Sequence, residues 1–255
     1  LTRRLRGHWP PIVAAVLLLA AWHAVAVSGL LPSTVLPTPG RIVEQVWRQR
    51  EPLLRHALPT LTATALGFTL SVTSAVLIAT ALDFSPLLRR AVLPLLVVSQ
   101  TLPMIALAPL VVLWFGFYLL PKVLLVAFLT FFPMTISLLQ GFASADPDMQ
   151  ALLRSMGAGR WGVFRHVRAP SAAAYFFSGL RVSITYAVVG AIFAEYAGAV
   201  AGLGVYMQSA KNVFRTDLVL AAVLVSSVVT LLLYALVVVL EHVALPWLRV
   251  ERGRS

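Results

Sequence analysis

An all-α membrane protein with six transmembrane helices is the fold class this sequence predicts, on three observations. The 255 residues are 60% hydrophobic and only 11% charged, whereas a soluble domain is roughly half apolar and a quarter charged. The apolar runs are continuous rather than alternating, so they read as helices and not as barrel strands. The basic residues, which give a net charge of +11, sit between the apolar runs, where they report orientation rather than nucleic-acid binding.

The spans are expected at about residues 11–31, 59–82, 91–115, 123–140, 172–200 and 218–240. A basic leader with Arg3, Arg4 and Arg6 precedes the first run. That run is longer than a signal core and no small-x-small cleavage site follows it, so it reads as a retained span. In the turn-rich stretch 32–56, Ile42, Val43, Val46 and Trp47 share a helical face opposite Arg41, Glu44, Gln45 and Arg48. This predicts either a helix lying on the outer surface or an ordinary solvated connector. The second span carries Thr60, Thr62, Thr64, Thr69, Ser71, Thr73 and Ser74, small hydroxyl residues that let helices approach closely. Gln100, Pro103 and Pro109 lie in the third. Proline frees carbonyls and bends a helix, and a neighbour or a lined cavity must satisfy what it frees. Gln100 and Pro103 are therefore candidates for a translocation pathway or gate.

A short outer turn, 118–122, leads to the fourth span, with Phe131, Phe132 and Pro133 near its middle. The fifth carries Arg181 and Glu195. Glu195 reads as the one carboxylate inside an apolar segment, placed toward the outer boundary. Intramembrane charge is costly, which makes it a gate or packing residue ahead of a direct substrate contact. Arg181 lies about 21 Å away along the same helix, too far to pair with it, so it snorkels to the inner surface or pairs with another segment. An outer connector with Gly202, Gly204, Lys211 and Arg215 precedes the sixth span, and a tail with Arg249, Arg252 and Arg254 follows it.

Between the fourth and fifth spans lies a polar, arginine-bearing island, residues 146–170. Asp146 can cap a helix, Pro147 suits its first position and Gly157 can end it. Met149, Leu152, Leu153 and Met156 fall at i, i+3, i+4 and i+7 and share one face. Such a helix is about 15 Å long, too short and too charged to cross a bilayer. A second short helix, 160–167, follows Gly159 and is expected to stop at Pro170. A bent helix pair with apolar and basic faces is suited to docking onto another protein. With the N-terminus inside, twelve arginines fall on the island's side and seven basic residues on the other. That places the island and both termini in the cytoplasm.

No G-x-x-x-x-G-K-[ST] phosphate loop occurs, so any ATPase is another polypeptide. The histidines are scattered, no H-E-x-x-H pair exists and there is no cysteine. No catalytic residue, metal site or cofactor is expected.

The island carries a resemblance. Ala151-Leu152-Leu153, three residues, Gly157, nine residues and then Val167-Arg168-Ala169-Pro170 resembles the coupling motif of membrane subunits of bacterial ATP-binding cassette (ABC) importers. That motif reads Glu-Ala-Ala, three residues, Gly, nine residues, Ile-x-Leu-Pro. Ala151 stands where the motif has glutamate, which removes any salt bridge that glutamate would make and leaves the shape. In QTLPMIALAPLVVLWFG, Pro103, Ile105, Ala106, Pro109, Leu110, Trp114, Phe115 and Gly116 resemble the nitrate, taurine and alkyl sulfonate branch. LPTPGRIVEQVW is similar to the same branch. LLRSMGAGRW, FSGLRVSITYAVVGA and GLGVYM lean toward its thiamine pyrimidine-precursor subgroup.

The resemblance implies a type I ABC importer permease fold, one permease domain over 1–255 with a cytoplasmic coupling helix. It implies a transport subunit and not an enzyme, with ATP and Mg used by separate cytoplasmic ABC ATPase subunits. An extracytoplasmic solute-binding protein would deliver the solute. A homodimer in the bacterial cytoplasmic membrane, with both termini cytoplasmic, would work by ATP-driven alternating access. Met149, Ala151, Leu152, Leu153, Arg154, Ser155, Met156, Gly157, Ala158, Val167 and Pro170 would contact or shape the ATPase junction. The rival is a gradient-driven secondary transporter or channel. That class carries more intramembrane charge and inverted repeats, and no convincing internal repeat occurs here. A membrane-embedded enzyme would need a clustered catalytic constellation.

Overall fold

A long apolar helix can bury only what its neighbours let close, and the small residues of this chain decide which helices touch. The computed structural model describes residues 9–246. Arg3, Arg4, Arg6, Arg249, Arg252 and Arg254 lie outside the described residues. Among the described residues every regular element is a helix. In chain order these are α1 (Trp9–Val27), α2 (Pro39–Arg48), α3 (Arg50–Phe84), α4 (Pro86–Ser99), α5 (Met104–Phe115) and α6 (Leu119–Ala143). The island follows as α7 (Pro147–Ser155) and α8 (160–171), and then come α9 (Ala173–Gly198), α10 (Leu203–Asn212) and α11 (Thr216–Ala244). Five helices are long and apolar enough to cross a membrane, and α4 with α5 makes a sixth if the bent pair is one span.

The centre is α6, packed between α3 and α9. On α3, Thr60, Ala63, Thr64, Gly67, Ser71, Ala75 and Ala79 are all buried. They recur every three or four residues and form one small-residue stripe. Backbones can then approach closely, which is how apolar helices associate where lipid is as greasy as the partner. A Cβ at Gly67 would lie 2.5 Å from the Val126 Cβ and 2.7 Å from the Val123 carbonyl of α6. At the other end of α6, a Cβ at Gly141 would lie 2.8 Å from the Ala172 Cα.

Several sequence expectations are corrected. α3 spans 35 residues, starting well before residue 59. It carries Pro59 inside and is about 52 Å long at 1.5 Å per residue, longer than a bilayer core needs. α6 begins at Leu119, so Lys122 is not in an outer turn but one turn inside a helix, and buried. The third span is not one helix: α4 and α5 meet at 100°. Pro103 supplies no N–H and holds Leu102 out of the helical region, so the chain must turn there.

Pro170 does not stop the second island helix. Residues Phe164–Arg168 form a π turn, with the Ala169 N–H bonded to the Phe164 carbonyl. The wider turn moves aside the carbonyl that a proline ring would strike, and the helix runs on through Ser171. On α2 the buried residues are Ile42 and Gln45, while Val43 and Trp47 stay exposed. The Arg41–Asp217 ion pair, at 3.3 Å, turns that face toward α11.

Gly67→Ala should destabilise the bundle by about 1–3 kcal/mol through overpacking, read as a lowered unfolding temperature in detergent. Gly40→Ala has no heavy atom within 4 Å of the new Cβ and should leave that temperature unchanged.

Candidate functional site

Two assemblies sit at opposite ends of the α3–α6–α9 core. At one end is the island. The Asp146 carboxylate accepts from the Asp148 N–H at 2.8 Å and Pro147 opens α7. Gly157 closes it in the left-handed region at φ 85°. The Ala158 N–H reaches the Leu153 carbonyl at 2.9 Å and the Gly157 N–H reaches Arg154 at 3.0 Å, the bond pair of a Schellman C-cap. α7 buries no residue. Met149, Leu152 and Met156 are 49%, 53% and 74% exposed, and Leu153 is half-buried. Ala151, Arg154, Ser155 and Pro170 are exposed, Ala158 is half-buried and Val167 is buried. The expected apolar face therefore exists, and its larger part is bare.

α8, in contrast, is fastened down. Phe164 packs against Phe84 of α3 and Phe142 of α6, with ring centroids 5.1 and 5.2 Å apart. Arg168 Nη1 lies 2.6 Å from Asp83 Oδ2, and Arg160 donates to the Phe84 carbonyl. The island is thus a bare helix joined through a glycine to a clamped one.

At the opposite end Glu195 is 1% exposed. Thr60 of α3 donates to its Oε1 at 2.9 Å. The Gly204 N–H donates to Oε2 at 2.9 Å, and Lys122 Nζ of α6 lies 3.5 Å from Oε1. Lys122 also donates to the Ala201 carbonyl at 2.6 Å, while the Leu203 N–H donates to Thr60 Oγ1 at 2.9 Å. Gly202 stands at φ 147°, and a Cβ there would lie 2.0 Å from the Glu195 Cδ, so only glycine lets the connector close over the carboxylate. Glu195, in the last turn of α9, is therefore sealed under the connector. Gln100 and Pro103 are exposed at the α4–α5 bend and supply none of its bonds.

Arg181 pairs with Glu241 of α11 at 2.9 Å. Glu195 is accordingly not the one carboxylate inside a span, because α11 continues past residue 240 and carries Glu241 within it.

Residues 67–244 match the family model described as binding-protein-dependent transport system inner membrane component. The chain belongs to that family.

This permease is 35% identical to the riboflavin transport system permease protein RibX of Chloroflexus aurantiacus, over 95% of this chain and 92% of that one. It is 34% identical to the formylaminopyrimidine transport permease protein ThiX of Halalkalibacterium halodurans, covering 93% and 95%. The taurine transport system permease protein TauC of Escherichia coli is 29% identical, covering 96% and 94%. A solved amino acid ABC transporter with histidines shares the fold at TM-score 0.64 and 18% identity, over 78% of this chain and 96% of that one. The chain is an integral membrane component of an ABC transport system, and none of these relatives supports the gradient-driven alternative.

Sequence reasoning found the island and Glu195 but missed Lys122, Thr60 and Asp83 as partners. A lysine beside a proline at the start of an apolar run was the available signal for the first. An intramembrane charge calls for a partner on another helix.

Glu195→Ala leaves the Lys122 ammonium buried without a counter-charge and should cost the permease about 3–5 kcal/mol, measured by thermal unfolding in detergent. Glu195→Gln keeps an acceptor for Thr60 and should cost less. An alanine variant that melts with the parent would show that the cluster does not hold the connector.

Proposed function

We propose that this permease imports a small solute across the bacterial inner membrane by ATP-driven alternating access, as one half of a C2 homodimer. A cytoplasmic ABC ATPase grips α7 and a separate binding protein delivers solute at the opposite end. The observation that carries this reading is the contrast within the island. α7 leaves Met149, Leu152 and Met156 bare while α8 is bonded to α3 and α6. A bare apolar face on a fastened element is a handle for a partner's groove. Arg154 and Arg160, exposed beside it, form a basic rim. One chain presents one handle, so two ATPase subunits call for two copies of the chain.

Opposite the island, Phe214 is held at φ 55° and is 82% exposed. A bulky residue in the left-handed region is strained. That conformation coincides with an aromatic ring turned outward at the end where a delivering protein would arrive. Relatives named for riboflavin, formylaminopyrimidine and taurine transport support a small organic solute.

The parent chain has no cysteine, so single cysteines report cleanly. Met149→Cys and Met156→Cys should form cross-links to the ATPase and should react with a membrane-impermeant maleimide only once the cytoplasmic face is opened. Labelling in intact cells would overturn the orientation. Gly157→Val places a β-branched side chain at φ 85°, which L-residues avoid. It should lower uptake at least about tenfold, as a misplaced contact between partners can, while the protein still inserts and the ATPase still turns over. Unchanged uptake would remove the coupling role.

A further inference from the structure

α9 is packed by α3, α5, α6, α10 and α11 and still leaves one face partly open. Val182, Tyr186, Val189, Phe193 and Tyr196 recur at i, i+4, i+7, i+11 and i+14 and are each 38–50% exposed. Two clefts open on this face. One, of about 390 Å³, is lined by Ile105, Pro109, Phe193 and Tyr196, between α5 and α9. The other, also about 390 Å³, is lined by Ser178, Arg181, Thr185, Tyr186 and Tyr234, between α9 and α11. From Ser178 to Tyr196 the face runs about 27 Å, close to the ~30 Å thickness of a hydrocarbon core.

Lipid is a poor occupant for this surface. Tyrosine belongs at the interfacial belts, yet Tyr186 lies at the middle of α9. Among the described residues the hydroxyls of Tyr186, Tyr196 and Tyr234 have no hydrogen-bond partner. A hydroxyl left unpaired in hydrocarbon is costly. Free anions are poor occupants too. Arg181 is the one charged side chain lining either cleft, and Glu241 already neutralises it at 2.9 Å. Recognition of a sulfonate or nitrate uses unpaired cations or converging N–H donors. What the face offers is ring surface for stacking and hydroxyls that both donate and accept.

We propose that this face of α9 is the passage for the solute and that it takes planar, uncharged aromatic heterocycles rather than small anions. The proposal rests on the permease reading and narrows its substrate class.

The test uses the full chain in nanodiscs, without ATPase or binding protein, and riboflavin as the fluorescent probe. Stacking on the phenol rings should quench riboflavin saturably. Tyr186→Ala and Tyr196→Ala should each weaken binding about tenfold, the loss expected for one stacked ring. Tyr196→Phe, which keeps the ring, should retain stacking and separates recognition from misfolding. Excess taurine should not displace the probe. Absence of saturable quenching, displacement by taurine, or alanine variants that bind as the parent does would each overturn the proposal. Unchanged quenching with loss of a dimer in Tyr186→Ala would assign the face to a second copy and would likewise overturn it. Because this readout needs no ATP, loss of ATP-driven coupling would sink the importer mechanism without altering it.

Discussion

A carboxylate that water cannot reach must have its charge answered by protein, and in this chain that demand decides where the connector lies. Glu195 gathers a hydroxyl from α3, an ammonium from α6 and a backbone N–H from the start of α10. Each would be costly to bury alone, and removing one orphans the others. The same device recurs at Arg168–Asp83, Arg181–Glu241 and Arg41–Asp217. Every one of these pairs joins two different helices. In lipid there is no hydrophobic drive for one apolar helix to prefer another, so paired charges and close backbones specify neighbours instead.

Close backbones supply the rest. The stripe from Thr60 to Ala79 and the glycines at 67 and 141 bring α3 and α9 onto α6 with little side chain between them. Threonine hydroxyls along the stripe bond back to their own helix, as Thr64 does to the Thr60 carbonyl at 2.7 Å. They therefore serve packing and leave no unsatisfied group. Among the described residues the hydroxyls left without a partner include Ser71 on the stripe, Tyr206 of α10 and the tyrosines on the open side of α9.

Periodicity and composition made the long apolar helices legible, and capping residues made α7 legible to within a residue. Asp146, Pro147 and Gly157 act locally, and local chemistry is what a sequence displays. Most of the misreadings were non-local. Lys122 reads as a turn residue until Glu195, 73 positions away, is seen beside it. Gln45 reads as solvent-facing until Asp217 turns α2 over. Pro170 reads as a stop because a π turn has no compositional mark. The bend at Pro103 was readable as a bend, but its 100° angle depends on how α4 and α5 pack.

The π turn and the two charge clusters together have a mechanical meaning. At the island end Asp83–Arg168 ties α3 to α8, which leads into α9, and at the far end Thr60–Glu195–Lys122 ties α3, α9 and α6 together. Ties at both ends fix the register of these helices over the roughly 30 Å between them. Outside these ties lie α1 and the elbow between α4 and α5, whereas α11 is pinned to α9 by Arg181–Glu241 and to α2 by Arg41–Asp217. Among the described residues, α1 and that elbow are the pieces that the inter-helix ion pairs leave unbraced.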